Sequence, residues 1–336
     1  MSEQDFSFSK ASWKRLRKNR GALFGLFIIA IAVLIAIGLV VAHPFSAGGA
    51  TGKLRVDFLD VGQGDSALVT FPDNTTLLID GGGLPGPFEN ARKINQPDDS
   101  GEESFERETG SIGESVVSEY LWRRGLDQVD YILATHADAD HIDGLNDVAR
   151  NFAVRAALVA RTPGKDEEYT KFAGTLAERD IPVRIIGAGD VLRFGAVTAK
   201  VLWPAPEADP NFPSRNNDSI VLRLQFGERT LLLTGDIEVA AENGMLRSGE
   251  DLRADVVKVA HHGSKTSSTA GFITAVGPRF AIISVGQTSI FGHPNGEVVA
   301  RWKRNGSQVL TTGNSGTITV TTDGRGLEIE TFVKKK

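Results

Sequence analysis

Tyr131-Ile132-Leu133-Ala134-Thr135-His136-Ala137-Asp138-Ala139-Asp140-His141-Ile142-Asp143-Gly144 decides how the chain is read. An apolar run of strand length gives way at once to two histidines and two carboxylates, at i, i+2, i+4 and i+5. Imidazole and carboxylate are ligands for zinc and for harder divalent ions, and this spacing gathers several donors about one point. A solvated turn whose aspartates cap the helix starting near His141 accounts for one Asp and leaves both histidines without a role.

The remaining histidines extend the pattern. Of six, all but His43 fall where an apolar strand passes into a loop: His136, His141, His261, His262 and His293. Leu231-Leu232-Leu233-Thr234-Gly235-Asp236 ends a buried strand in Gly-Asp, and Val256-Val257-Lys258-Val259-Ala260-His261-His262-Gly263-Ser264 ends another in paired histidines. Taken singly, Asp236 reads as the cap of a helix from Ile237 and His262 as a satisfied buried histidine. Independent caps have no reason to recur at successive strand ends, which share one rim of such a sheet. The chain has no cysteine, so thiolate ligands, disulfides and a cysteine nucleophile are excluded, leaving His, Asp and Glu as the strong donors.

Around these stretches strands and helices alternate. Residues 54–60, 66–71 and 76–79 read as strands, with a tight Gly-rich turn at 61–65 and Asp80-Gly81-Gly82-Gly83 at the end. Neither a dinucleotide fingerprint nor a phosphate-loop motif is present among these glycines. Helical spacing is expected over 114–124, 142–152, 167–179, 238–247, 267–275 and 297–304. Strands are expected over 129–135, 156–160, 183–186, 197–203, 220–226, 230–233, 256–259 and 280–285, followed by three short C-terminal strands. Such a pattern folds as mixed sheets covered by helices, with functional loops at strand ends.

The front of the chain differs. Residues 21–42 carry no charge over 22 positions, about 33 Å as a helix, which matches the hydrocarbon core of a bilayer. Residues 1–20 hold six basic and two acidic side chains and no Lys or Arg follows until Lys53, so positive-inside bias places this tail in the cytoplasm and the rest outside. A cleaved signal peptide ending at Val40-Val41-Ala42 is the rival, disfavoured because the apolar run exceeds a usual signal core. Residues 43–52 read as a linker, with His43 an interfacial polar residue, and 53–336 as one large domain. Of a chain net of −5, the tail holds +4, so the remaining 31 basic and 40 acidic residues carry −9, much of it at 98–108, expected to be a flexible insertion. A body this acidic lacks the broad basic footprint of tight nucleic-acid binders, so polyanion contact has to be local or metal-mediated.

Several ordered motifs then resemble the metallo-β-lactamase superfamily, and more narrowly the extracytoplasmic hydrolase domain of ComEC-type DNA-uptake proteins. They are Phe58-Leu59-Asp60-Val61-Gly62-Gln63-Gly64-Asp65, Leu78-Ile79-Asp80-Gly81-Gly82, Thr135 to His141 as quoted, Leu233-Thr234-Gly235-Asp236-Ile237-Glu238, His261-His262-Gly263-Ser264 and Gly292-His293-Pro294. The resemblance covers 54–333 and implies a four-layer αββα sandwich of two similar halves with a metal centre at one edge. Matched position by position, His136, Asp138, Asp140 and His141 form the first ligand cluster, Asp236 the bridging carboxylate, and His261 or His262 the late ligand. Asp138 stands where the superfamily usually has histidine, as in the ComEC-like branch. The middle histidine before residue 220 is absent, leaving Asn216-Asn217-Asp218-Ser219, with Asp218 or Asn217 as a substitute. Oxygen donors harden the site, so manganese rivals zinc for one or two divalent ions.

Such a centre implies hydrolysis by activated water without a covalent intermediate. Asp140 and Asp236 are the expected catalytic carboxylates, Lys265, Ser264 and His293 the candidates for substrate or leaving-group contact, and Asp65, Asp80 and Asn217 the groups that orient ligands. A phosphodiester, DNA included, is the expected substrate. Another envelope ester, whether phosphoester, lactone or thioester, and an anchored domain that has lost turnover are the alternatives.

Overall fold

The computed structural model describes residues 17–42, 52–83, 111–160, 166–204, 216–289 and 291–334. Most of the basic tail, nearly all of the expected linker and the acidic insertion lie outside the described residues. The chain divides into two units, Met1–Ala47 and Gly48–Lys336.

The described residues of the first unit hold the helix α1 (Arg20–Ala42). Asn19 starts it, its Oδ1 accepting from Ala22 N at 3.1 Å, as helix N-caps do. Mean hydropathy over Arg20–Leu39 is 3.0, enough by length and composition to cross a membrane.

In the second unit, two sheets face each other. The first has the order β15-β14-β1-β2-β3-β4-β5-β6 and the second β13-β12-β11-β10-β9-β8-β7. The strands of the first sheet are β1 (Leu54–Phe58), β2 (Ala67–Thr70), β3 (Thr76–Ile79), β4 (Gln128–Ala134), β5 (Ala153–Val159), β6 (Val183–Ile185), β14 (Ile318–Thr322) and β15 (Leu327–Thr331). Those of the second are β7 (Val191–Phe194), β8 (Val197–Trp203), β9 (Val221–Phe226), β10 (Arg229–Leu233), β11 (Val256–Lys258), β12 (Phe280–Ile283) and β13 (Gln308–Thr311). β7 has no counterpart in the sequence reading, because four residues beginning Val-Leu-Arg are too short to show a period.

The two-residue period of a strand explains the layering. Leu231 and Leu233 of β10 enter the core between the sheets, where they join Val56, Phe58, Leu77 and Ile79. Leu232 points the other way, into the layer under α5 (Val239–Ser248), α6 (Ala270–Val276) and α7 (Gly296–Arg304), with Trp302 at its centre. On the outer face of the first sheet, α2 (Glu119–Arg123), α3 (Ala139–Asn151) and α4 (Glu167–Glu178) cover Leu78, Ile132 and Ala157. A six-residue π-helical segment, Gly113–Ser118, leads into α2. Because central strands such as β2, β3, β11 and β12 are buried on both faces, they read as near-continuous apolar runs.

Parallel pairing then places the chemistry. β3 runs parallel to β4, and β10 to β11, so their C-terminal ends open on one edge of each sheet. The edges are stitched together where Ile220 N donates to Thr135 O at 3.0 Å.

Candidate metal centre

Five loops meet at that seam: 59–66 between β1 and β2, 80–83 after β3, 135–138 after β4, 234–236 after β10 and 259–264 after β11. Their packing is close. Gly64, at φ +89°, lies against the Asp140 carbonyl where a Cβ would collide, and Asp65 N donates to Asp140 O at 3.2 Å. Only glycine accepts both the backbone twist and the contact.

Three imidazoles converge in this pocket with their Nδ1 atoms already engaged. His136 Nδ1 lies 3.1 Å from Thr135 Oγ1 and 3.3 Å from Ser219 Oγ. His141 Nδ1 lies 2.8 Å from Asp80 Oδ2, and His262 Nδ1 is 3.0 Å from the carbonyl of Ser284, to which it donates. The opposite nitrogen, Nε2, is buried without a hydrogen bond in all three. Asp236 Oδ2 stands 3.2 Å from both His141 Nε2 and His262 Nε2, and Asp140 Oδ2 is 3.5 Å from His262 Nε2.

Leaving three buried imidazole nitrogens unpaired is costly unless something binds them. The donor chemistry fits a divalent cation: the outer nitrogen held by carboxylate, hydroxyl or carbonyl, the inner one open, carboxylate oxygens alongside. Converging sets within 4.8 Å are His136, His141 and Asp236; Asp140, His141 and His262; Asp65, Asp236 and His262; and Asp65, Asp80 and His141. Without a cation the same groups pair as ions. Burial opposes charge at His141 and His262, yet Asp236, with Asp80 for the first and Asp65 for the second, holds each imidazole well above its ordinary pKa. Burial likewise works against the carboxylates, while His262 and His141 hold Asp140 and Asp236 well below the usual range.

The other anticipated residues are placed as follows. Asp138 occupies the N-cap of α3 but makes no capping bond; its side chain is 47 % exposed, with Oδ2 3.5 Å from His136 Nε2. Asp138, Asp218 and His261 join none of the converging sets among the described residues. Asp218 sits in a short 3-10 turn, Asn216–Asp218. Asn217 is turned to the start of α5, its Oδ1 accepting from Glu238 N at 3.0 Å and Ala241 N at 3.2 Å. His261 and His262 both adopt left-handed backbone, at φ 51° and 50°. Such strain costs on the order of 1–3 kcal/mol per residue, and here the two rings part, their centroids 6.2 Å apart and planes at 75°. His262 enters the centre, while His261 Nδ1 lies 3.3 Å from Glu238 Oε1. His293 packs its ring 6.5 Å from His262 and 5.8 Å from His261, and Lys265 is exposed nearby in sequence. Ser264 is buried, its Oγ 3.0 Å from Thr266 Oγ1.

One participant escapes the sequence reading. Lys258 is buried within the centre, its ammonium donating to Gly235 O at 2.9 Å and lying 3.2 Å from Asp236 Oδ1, in an ion pair with Asp65 as well. Burial disfavours its charge, and Asp65 and Asp236 overcome that, keeping its pKa raised. The only sequence signal is a lone basic residue inside an apolar strand.

Residues 59–287 match the family model of the metallo-beta-lactamase superfamily. The chain belongs to that superfamily. Residues 7–47 resemble the N-terminal TM domain of oligopeptide transport permease C. Among curated relatives, ComE operon protein 3 of Bacillus subtilis is 34 % identical over 266 residues, covering 79 % of this chain and 32 % of the relative. Competence protein ComA of Neisseria gonorrhoeae is 26 % identical over 295 residues (88 % and 36 %) and recombination protein 2 of Haemophilus influenzae 27 % over 279 (82 % and 30 %). The chain thus spans about a third of the length of these ComEC-type relatives. Solved structures to which the chain is similar include YhfI from Bacillus subtilis, at 10 % identity and TM-score 0.45, covering 80 % of this chain and all of that one. Zn(2+)-bound PqqB from Methylobacterium extorquens aligns at 11 % identity and TM-score 0.41, covering 79 % and 99 %.

Proposed function

We propose that this chain is a membrane-anchored, metal-dependent phosphodiesterase or nuclease whose hydrolase unit lies on the extracytoplasmic side. The observation that carries the reading is the convergence of three buried, unpaired imidazole Nε2 atoms upon the carboxylates of Asp140 and Asp236. His136, His141 and His262, with those two carboxylates, would hold one or two divalent ions, zinc or manganese, and Asp138 is the further donor at the open side. A bound divalent ion supplies Lewis acidity, activating water and offsetting negative charge on the attacked group.

The chain's own residues provide the rest. Asp80 and the Ser284 carbonyl hold the Nδ1 proton of His141 and His262, so that once the protons on Nε2 are expelled by the ion each Nε2 is the free nitrogen, aimed inward. Asp236, buried and anionic, orients the attacking water, while the interlocked loops around Gly64 exclude bulk solvent. His293 and Lys265, beyond the late histidines, are assigned to the substrate phosphate or leaving group. The names of the competence and recombination relatives favour DNA among phosphodiesters, and the acidic body makes that contact local to the centre.

The test uses the detergent-solubilised full chain with added manganese or zinc, offered bis-p-nitrophenyl phosphate, linear and circular DNA, RNA, a lactone and a thioester. Metal-dependent cleavage of phosphodiesters is expected. Turnover confined to the lactone or thioester would replace the substrate class, and metal binding without any turnover would make this a non-catalytic member of the fold.

A further inference from the structure

The Asp65–Lys258–Asp236 network abuts the imidazoles, Asp65 and Asp236 both converging with His262 while Lys258 pairs with each carboxylate. All three side chains are nearly inaccessible, at 7, 6 and 4 % exposure. Asp236 is divided by this arrangement: Oδ1 faces the ammonium, Oδ2 faces His141 and His262. Asp65 is divided similarly, with Oδ2 on the ammonium and Oδ1 3.5 Å from His262 Nδ1, the nitrogen already bonded to Ser284 O. The ammonium cannot drift. Its third contact is the Gly235 carbonyl, and its own backbone carbonyl accepts from Thr234 Oγ1 at 2.7 Å.

We infer that Lys258 is the positioning residue of the centre: it fixes Asp236 as a one-oxygen donor directed at the imidazoles and holds Asp65 as its own counter-ion, outside the donor set. This rests on the metal reading above. Placing a fixed cation behind a ligand is otherwise counterproductive, because its charge repels the ion that the ligand is there to hold. Removing Lys258 for its charge alone would therefore tighten divalent binding. Removing it as a positioning group frees the Asp236 carboxylate to rotate and loosens binding, by the ten- to hundredfold typical of groups that orient ligands. The sign separates the two roles.

The experiment compares the full chain in detergent with Lys258→Met, Asp65→Asn and the double variant. Manganese affinity is read from the electron paramagnetic resonance signal of free Mn2+, and folding from the unfolding midpoint in chelator. Lys258→Met is expected to bind at least about tenfold more weakly than wild type, and the double variant equally weakly, with Asp65→Asn as the baseline that separates the loss of Asp65 from the loss of Lys258. Should Lys258→Met fail to fold because Asp65 is left charged and buried, the double variant, which has no orphaned charge, carries the measurement. Unchanged or tighter binding without Lys258 overturns the inference, as does restoration of wild-type affinity by the added Asp65→Asn. Wild-type chain that binds no manganese or zinc sinks the metal centre and this role together, whereas binding that ignores Lys258 sinks only the latter.

Discussion

Asp80→Asn is the sharpest probe of how the centre is held. Asp80 accepts from Thr135 N at Oδ1 and, at Oδ2, faces Thr135 Oγ1 and His141 Nδ1, each at 2.8 Å. It does so at φ 56°, a backbone region that asparagine also tolerates, so the exchange alters hydrogen-bond polarity with little change in shape. An amide cannot satisfy that pattern. With its NH2 at the Oδ2 position it donates to His141 Nδ1 and drives the proton to Nε2, the nitrogen aimed at the centre. With the amide flipped, NH2 meets Thr135 N–H and two donors face each other. The flipped amide forfeits a buried hydrogen bond, about 1–3 kcal/mol, whereas the first orientation keeps its bonds but blocks a ligand. We expect metal affinity to fall about ten- to hundredfold, equivalent to about 1.4–2.8 kcal/mol, with the fold retained. Competition against a chelator of known affinity measures it. Affinity within twofold of wild type would show that Asp80 does not set the His141 tautomer, and the outer-nitrogen argument would fail with it.

Four further expectations follow from the same geometry. His141→Ala and Asp236→Ala should each lower metal-dependent phosphodiester turnover by at least about a hundredfold, given the several kcal/mol such centres contribute, while circular dichroism stays native; unchanged turnover in either would mean the assignment is misplaced. Because His141 and His262 are held protonated above their ordinary pKa in the cation-free state, metal uptake must expel protons. Affinity should therefore drop as pH falls, and calorimetry in buffers of differing ionisation heat should report proton release, none being the contrary result. Leu232→Ala, at a fully buried position under the outer helices, should cost about 2–5 kcal/mol in urea unfolding, and a loss under 1 kcal/mol would mean that layer repacks freely. Protease added to intact cells should digest the hydrolase unit and spare an epitope on the basic tail; protection of the unit would reverse the proposed orientation.

Much of the sandwich is legible in the sequence because its central strands are covered on both sides. Stretches such as Leu231-Leu232-Leu233 have to be apolar at every position, and each ends where the apolar run meets a donor. The histidine pair is harder: adjacent residues in regular backbone diverge in a fixed way, but at 261 and 262 two successive left-handed residues decide which ring enters, and nothing in His-His-Gly announces that. Asn217 similarly reads as a donor near the gap left by the middle histidine, yet spends its oxygen on two amides of α5. Lys258 is illegible for an electrostatic reason. A lysine in a strand reads as solvent-facing until its two counter-charges are known, and those come from the β1–β2 loop and the end of β10.

The hydrogen bond from Ile220 to Thr135 joins the halves beside the centre, and the donors on either side of it come from different sheets: His136, Asp140 and His141 from one, Asp236 and His262 from the other. A cation shared between them works as a rivet. Mechanical integrity and cofactor supply are then a single quantity: at free metal a hundred times its dissociation constant the folded state gains about 2.7 kcal/mol. On the proposed reading, starvation for the ion would expose the chain to proteolysis as well as silence it.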